Sequence, residues 1–254
     1  MLRIERARHD DLAATAALHR EHLQLGLFPS LGRRFLRAYH ASFADSPHAI
    51  ALVARQDERV VGALFATISN ADHYRFVVGE HGLTLALHGA RSLLLQPRLA
   101  LDFINTRLGR YARGLGRHLG LAGSDPVEAP AGAAAGPTCV LSHIVTSGSA
   151  RRCGVGRRLV EEFRARARRR GAAKARLVTR DDGPGAPFFE RIGCRWVENR
   201  PSPDGAAVRE YLIDLHRVNT DESDQHPRGL RHARGGHRSG RRHGHSHKPD
   251  VHVG

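Results

Sequence analysis

The chain has 254 residues, 41% of them hydrophobic, with 40 Lys/Arg against 25 Asp/Glu and a formal net charge of +15. This length and apolar content allow one sizeable core with extras, and exclude a chain that is disordered throughout. No apolar run is long enough for a membrane-spanning helix, and Met1-Leu2-Arg3-Ile4-Glu5-Arg6 lacks the apolar stretch of a secretory leader.

In chain order, residues 2–8 alternate like a short strand, and Asp10 or Asp11 caps a helix running to about Leu23. A second amphipathic stretch over 31–43 places Phe35, Leu36 and Tyr39 on one face. Strands over 48–55 and 59–69 join through Gln56-Asp57-Glu58 as a hairpin. Residues 73–137 break this rhythm. Leucines from Leu83 to Leu108 sit among Arg91, Arg98 and Arg107 and predict a helical insertion, and the Ala/Gly/Pro-rich stretch 123–137 predicts a flexible linker.

Regular patterning resumes with a β-branched strand over 139–146 and a helix over 156–170, whose Leu159, Val160, Phe163 and Ala167 point inward. A strand over 175–179 follows, then a short helix over 187–192 closed by Gly193, and a final antiparallel pair over 195–198 and 207–215. From residue 216 onward apolar residues nearly vanish. This tail, 216–254, holds eight His and eight Arg/Lys against four Asp/Glu, and its composition predicts disorder. Its His243-x-His245-x-His247 run has no folded scaffold for a metal, so no metal site is assigned.

The three cysteines, Cys139, Cys153 and Cys194, are too few and too far apart for a disulfide framework or a CxxC site, and point to a reducing compartment, the cytoplasm. Positive charge raises nucleic acid as a partner. However, aromatics are only 6% and no aromatic-interleaved basic patch occurs, so that partner is disfavoured. A dense basic run over 151–180 suits an anionic cofactor as well.

The informative stretch is Arg151-Arg152-Cys153-Gly154-Val155-Gly156-Arg157, between a strand and an amphipathic helix. The first turn of a helix carries unpaired N–H groups and a positive dipole end. Glycines at 154 and 156 let backbone approach a phosphate, and Arg151 and Arg157 add charge at the rim. By spacing alone, a plain strand–turn–helix with packing glycines is an equal reading.

The stretch resembles the signature turn of the GNAT N-acetyltransferase superfamily, Arg/Gln-x-x-Gly-x-Gly/Ala. Downstream, Phe188-Phe189-Glu190-Arg191-Ile192-Gly193-Cys194 resembles that family's Phe-Tyr-Glu-x-Leu-Gly-Phe segment. The resemblance covers about 2–70 and 138–215; neither the insertion nor the tail is explained by it. It implies an α/β (α+β) fold: a mixed, mostly antiparallel sheet splayed between strands 4 and 5, flanked by helices, within a domain spanning 1–215.

The resemblance further implies acetyl-CoA as co-substrate. Its pantetheine would contact backbone at Val145 and Thr146, and its pyrophosphate the amides of Arg152, Cys153, Gly154, Val155, Gly156 and Arg157. Acetyl would pass directly to an amine in a ternary complex, with His143 as candidate base. The family's tyrosine, which protonates the leaving thiolate, is replaced here by Phe189. Water, another residue (Tyr39, Tyr74, Tyr111 or Tyr211) or unassisted thiolate departure then remains. A cysteine nucleophile is disfavoured, because Cys153 lies inside the phosphate turn. The long insertion favours a small-molecule amine as acceptor. It could form a wall over the amine site, a partner or dimer surface, or a peripheral membrane contact, with packing against the sheet as the plainest reading. Oligomeric state is left open by the sequence. The alternative function is a catalytically weak acyl-CoA-binding regulatory module or a basic nucleic-acid-binding module.

Overall fold

Two left-handed residues, Asp57 and Glu58, turn the chain between strands β2 (Ala49–Gln56) and β3 (Arg59–Thr67). With Gln56 paired to Arg59, the loop is two residues long and of the type whose twist matches a hairpin. The expected hairpin is thus present, with a turn one residue tighter than the sequence suggests. These strands belong to a computed structural model that describes residues 1–23, 26–106, 139–202 and 205–216. The predicted linker over 123–137 and nearly all of the tail lie outside the described residues.

Seven strands form one sheet in the order β1-β2-β3-β4-β5-β7-β6, where β1 is Leu2–Arg6, β4 Cys139–Thr146, β5 Lys174–Arg180, β6 Arg195–Pro201 and β7 Ala207–Asp214. Every neighbouring pair is antiparallel except β4 and β5. The final pair is antiparallel as expected, but β7 sits inside it and β6 at the edge. That edge strand is exposed throughout and carries Arg195, Glu198, Arg200 and Pro201, which discourage further strand addition.

Helices cover both faces. On one lie α6 (Val155–Arg169) and α7 (Gly185–Arg191). Leu159, Val160, Phe163 and Ala167 of α6 pack into a core with Leu52, Leu64, Leu141, Leu177 and Tyr211. Each large side chain fully buried there contributes on the order of 1.5–3 kcal/mol. The outer face of α6 carries Arg157–Glu161 and Arg166–Glu162 pairs one turn apart. The helix closes at left-handed Gly171, whose amide bonds the Arg168 carbonyl while that of Ala172 bonds Ala167. Gly193 closes α7 in the same way, through Glu190 and Phe189.

On the other face lie α1 (Leu12–His22) and α2 (Gly32–Asp45), with Leu12 and Phe43 packed against Val53, Ala63, Phe65 and Val145. Asp11 stands at the N-cap of α1 without bonding its first turn. Its buried carboxylate instead accepts the Arg8 amide at 2.9 Å and pairs with the Arg55 guanidinium, which ties β2 to the helix start. The carboxylate thus caps the turn of residues 9–11 that leads into α1 rather than α1 itself, and shares its remaining oxygen with the half-buried Arg55.

The insertion between β3 and β4 begins as α3 (Asn70–Phe76), runs through one π-helical turn (Val77–His81) into α4 (Gly82–Leu94), and continues as α5 (Pro97–Thr106). Leu85, Leu93 and Leu99 pack on Phe35 and its neighbours, and Ser92 donates to the Leu31 carbonyl at 2.6 Å. These helices therefore lean on α2 and the turn before it rather than on the sheet, whose two faces are already occupied. Leu83, Leu87 and Leu94 of α4 point outward and are exposed. No helix among the described residues is long and apolar enough to cross a membrane.

Candidate functional site

Strand β4 holds the centre of the site. It pairs with β5 only at Cys139–Ala175 and Val140–Arg176, after which the two strands diverge. Its other edge stays on β3 along its whole length. From Leu141 to Thr146 the edge of β4 that faces β5 is thus left without a strand partner. The Ser147 amide bonds the Val61 carbonyl of β3, so by alternation the Val145 peptide also faces β3, while those of Ile144 and Thr146 face the opening.

The β3–β4 register slips between Phe65, opposite His143, and Ala66, opposite Leu141, which leaves Ser142 as the extra residue of a bulge. The consequence is a change of face within one strand. Cys139 and Leu141, before the bulge, pack toward α6. After it, Val145 joins the α1–α2 core and the His143 ring lies among rings of α1 and α2. Alternation without the bulge would have sent His143 into the α6 core.

His143 Nε2 is 3.0 Å from the Tyr39 hydroxyl of α2, and its ring centroid is 4.7 Å from that of His19 on α1. Burial, aided by the nearby His19, drives its pKa down to about 3. An imidazole this reluctant to charge is a weak independent base, which removes much of the support for the role expected from sequence. Behind it, burial also lowers His19 to about 4, and His40 well below its usual value. The hydrogen bonds between them have a direction. Thr15 donates to the Leu12 carbonyl, so its oxygen accepts from His40 Nδ1 at 2.9 Å; His40 Nε2 then accepts from His19 Nδ1, also at 2.9 Å. Both rings are neutral and locked in one tautomer. This cluster spans three elements and leaves no local pattern, so the sequence does not show that these residues meet.

Beyond Thr146 the chain passes a short turn (Gly148–Ala150) and reaches Arg151, Arg152, Cys153 and Gly154, all exposed. Arg152 and Gly154 are both left-handed, at φ 63° and 75°. The first helical bond of α6 is Arg158 N–H to the Gly154 carbonyl, so the Val155 and Gly156 amides ahead of it have no helical partner among the described residues. Gly156 has a packing reason as well: a Cβ there would lie 3.2 Å from two carbons of the Phe188 ring. Arg157 bonds Glu161 at 2.9 Å, and Arg158 donates to the Leu2 carbonyl. The open β4 edge, these amides and the exposed arginines together suit a long ligand with an anionic end.

Phe189 is buried in the α6 core, with its ring beside Tyr211. The Tyr211 hydroxyl donates to Glu190 at 2.8 Å, and Tyr74 is half exposed on α3; Tyr111 lies outside the described residues. Burial pushes the Cys139 thiol up to about 12 and that of Cys194 up to about 11, so neither is a ready nucleophile.

The sequence model of the acetyltransferase (GNAT) family matches residues 97–194. Comparison with curated proteins gives no match. Among solved structures, the chain is similar to the ribosomal-protein-S18-alanine N-acetyltransferase of Escherichia coli, at 11% identity, TM-score 0.49, covering 87% of this chain and 98% of that one. It is also similar to Ard1 of Thermoplasma volcanium, at 13% identity and TM-score 0.49 over 84% of this chain and 97% of that one. An aminoglycoside 6'-N-acetyltransferase in complex with coenzyme A, at 12% identity and TM-score 0.49, covers 86% of this chain and 99% of itself. The match to the acetyltransferase (GNAT) family model spans both the Arg151–Gly156 turn and the Phe188–Gly193 segment, on a sheet that opens between β4 and β5.

Proposed function

We propose that residues 1–215 form a catalytic domain that transfers acetyl from acetyl-CoA to a primary amine by direct attack within a ternary complex, and that the acceptor is a small molecule. The observation that carries the reading is the parting of β4 from β5 after Val140, which frees a strand edge leading straight to the Arg151–Arg157 turn. In this reading the pantetheine arm lies along β4 with the outward peptides of Ile144 and Thr146 as its hydrogen-bond partners, whereas the Val145 peptide, expected from the resemblance to make that contact, faces β3. The pyrophosphate meets Arg151, Arg152, Cys153, Gly154, Val155, Gly156 and Arg157. The acceptor enters from the α1–α2 side, where α4 walls off part of α2. That wall supports a dedicated pocket and hence a small acceptor over a peptide.

The amine nitrogen attacks the thioester carbon, and a peptide N–H on the open β4 edge stabilises the oxyanion. Two measurements test this. Acetyl-CoA at a hundredfold excess over its Kd should stabilise the protein by about 2.7 kcal/mol. Free-thiol release should then appear with one of glucosamine, tyramine, an aminoglycoside, or peptides bearing a free N-terminus or a lysine. No stabilisation by acetyl-CoA would sink the site, and turnover with peptides alone would sink the small-molecule acceptor.

A further inference from the structure

The side of the sheet that faces α1 and α2 is rich in rings and poor in carboxylates. Resting on acetyl transfer as proposed above, we propose that the acceptor is a primary amine on an apolar or aromatic body with no second positive charge, and that Phe28 helps to select it.

The rings form a row that leads to the open strand. Phe28, in the turn before α2, has its ring centroid 4.7 Å from that of Tyr39, and the Tyr39 centroid is 5.5 Å from that of His143. His143 sits just past the bulge, where β5 has already parted from β4. All three residues are half-buried, so part of each remains accessible while the rest is packed. Phe35 backs Phe28 at 5.1 Å, and Leu85 and Leu93 of α4 continue the apolar surface. An amine that reaches the thioester along this row meets hydrocarbon and ring faces, which favour an apolar or aromatic body through burial and offset stacking.

A second ammonium would find no partner there. No Asp or Glu occurs between His22 and Ala44, whereas Arg33, Arg34 and Arg37 do, and neither β4 nor α4 contains one. Of the carboxylates that bracket this stretch, Asp45 is met by His9 at 2.8 Å and His81 at 3.4 Å, and Glu21 is exposed in the last turn of α1. Across the opening, Ala175, Leu177, Tyr211 and Ile213 point into the α6 core, so alternation turns Arg176 and Glu210 to the α1–α2 side. Glu210 is buried between Arg176 at 3.4 Å and Arg200 at 3.1 Å. Glu198 lies one strand further out, at the sheet edge. Among the described residues, an ammonium brought to this side therefore loses water, gains no counterion and is repelled by the arginines.

The same setting suits the reacting nitrogen. With no carboxylate at hand to hold it as an ammonium, the amine is favoured in its neutral form, whose lone pair attacks. The buried imidazoles of His19, His40 and His143 are neutral as well and add no charge. The step balances. The C–N bond forms from the amine lone pair, and the C–S bond breaks with its electron pair going to sulfur. The proton lost by nitrogen is matched by one gained at sulfur, so amine and thioester give acetamide and free thiol.

The test follows thiol release by the full chain with saturating acetyl-CoA and paired acceptors. Pentylamine and cadaverine share one carbon chain and differ by a second amine, and phenethylamine adds a ring. Pentylamine should exceed cadaverine in kcat/KM on the order of a hundredfold. Phenethylamine should exceed both, with glucosamine and an aminoglycoside below pentylamine. Phe28→Ala should raise KM for phenethylamine about tenfold and keep acetyl-CoA affinity by calorimetry within about twofold. Phe28→Asp, which supplies a carboxylate, should narrow the gap by improving cadaverine. Cadaverine or glucosamine used as well as pentylamine overturns the proposal, and this comparison needs no variant to fold. An unchanged phenethylamine KM in Phe28→Ala overturns the role of Phe28. Absence of thiol release with every amine removes the transferase reading itself. Titration of pentylamine and cadaverine into the coenzyme A-loaded protein then still decides the acceptor class: pentylamine should bind more tightly, and equal affinities or no binding by either overturns it.

Discussion

The Phe188 ring lies against Gly156, so close that a methyl group on the glycine would meet two ring carbons at 3.2 Å. One residue comes from the turn at the start of α6 and the other from the segment opening α7. The two sequence motifs are thus parts of one contact.

Gly156→Ala should therefore act at a distance. The new methyl must push the Phe188 ring aside, at a cost of about 1–3 kcal/mol. Acetyl-CoA affinity should fall with the melting temperature, because the displaced turn carries the amides at the helix start. Trimming the ring in a Gly156→Ala/Phe188→Leu double variant should recover much of the loss. Strict additivity of the two changes in thermal unfolding would show that the contact does not couple them.

Gly154 makes a contrasting case. Nothing lies within 4 Å of where its Cβ would be, yet its φ is 75°. Gly154→Ala meets no neighbour and pays only for the left-handed backbone, about 1–2 kcal/mol. Replacing Phe188 should not relieve it. Equal rescue of both glycine variants by Phe188→Leu would contradict this division.

The buried histidines set an acid limit. His19 and His73 have their pKa values lowered by burial to about 4, and His143 to about 3. The unfolded chain takes up these protons near pH 6.5, whereas the folded chain resists until near 4. Stability is thus complete above about 6.5 and falls as pH drops through this window, by about 1.4 kcal/mol per pH unit for each such histidine. Calorimetric melting between neutral pH and about 4.5 should show the slope. His73→Leu should lessen it, since His73 Nδ1 is buried without a hydrogen-bond partner and its ring packs on Phe43. A melting temperature that does not move over that range would contradict neutral burial.

Arg55 and Asp11 form the least exposed ion pair on the α1–α2 face, with the Asp11 side chain only 3% exposed. Arg55→Met strands the carboxylate with the Arg8 amide as remaining partner, and should cost about 3–5 kcal/mol. Adding Asp11→Asn removes the stranded charge and should restore a large part. A double variant no more stable than Arg55→Met alone would show that the charge is not what matters.

Much of the fold is legible because local patterns report it. The β-branched residues of 139–146, the stripe Leu159, Val160, Phe163 and Ala167, and the closing glycine at 193 are each read from near neighbours in sequence. What escapes is what depends on distant ones. Asp11 reads as a cap, but not as the partner of Arg55, 44 positions away. Tyr39 and His143 are 104 positions apart and meet only once α2 lies on β4. The leucines of the insertion announce helices, but not that α2 is the surface they cover. Gly156 is visible as a glycine of the turn, while the ring that requires it comes from a later motif.

The bulge at Ser142 makes β4 a strand with a reading frame. A change of length between β3 and β4 leaves the pairing of the two strands unchanged. Removing one residue from β4 would instead exchange the inward and outward sets beyond it, placing an imidazole where α6 requires hydrocarbon and leaving Tyr39 without its partner. Length is therefore fixed within β4, whatever the chain before Cys139 tolerates. A map of how single-residue deletions change thermal stability should show a sharp edge within β4.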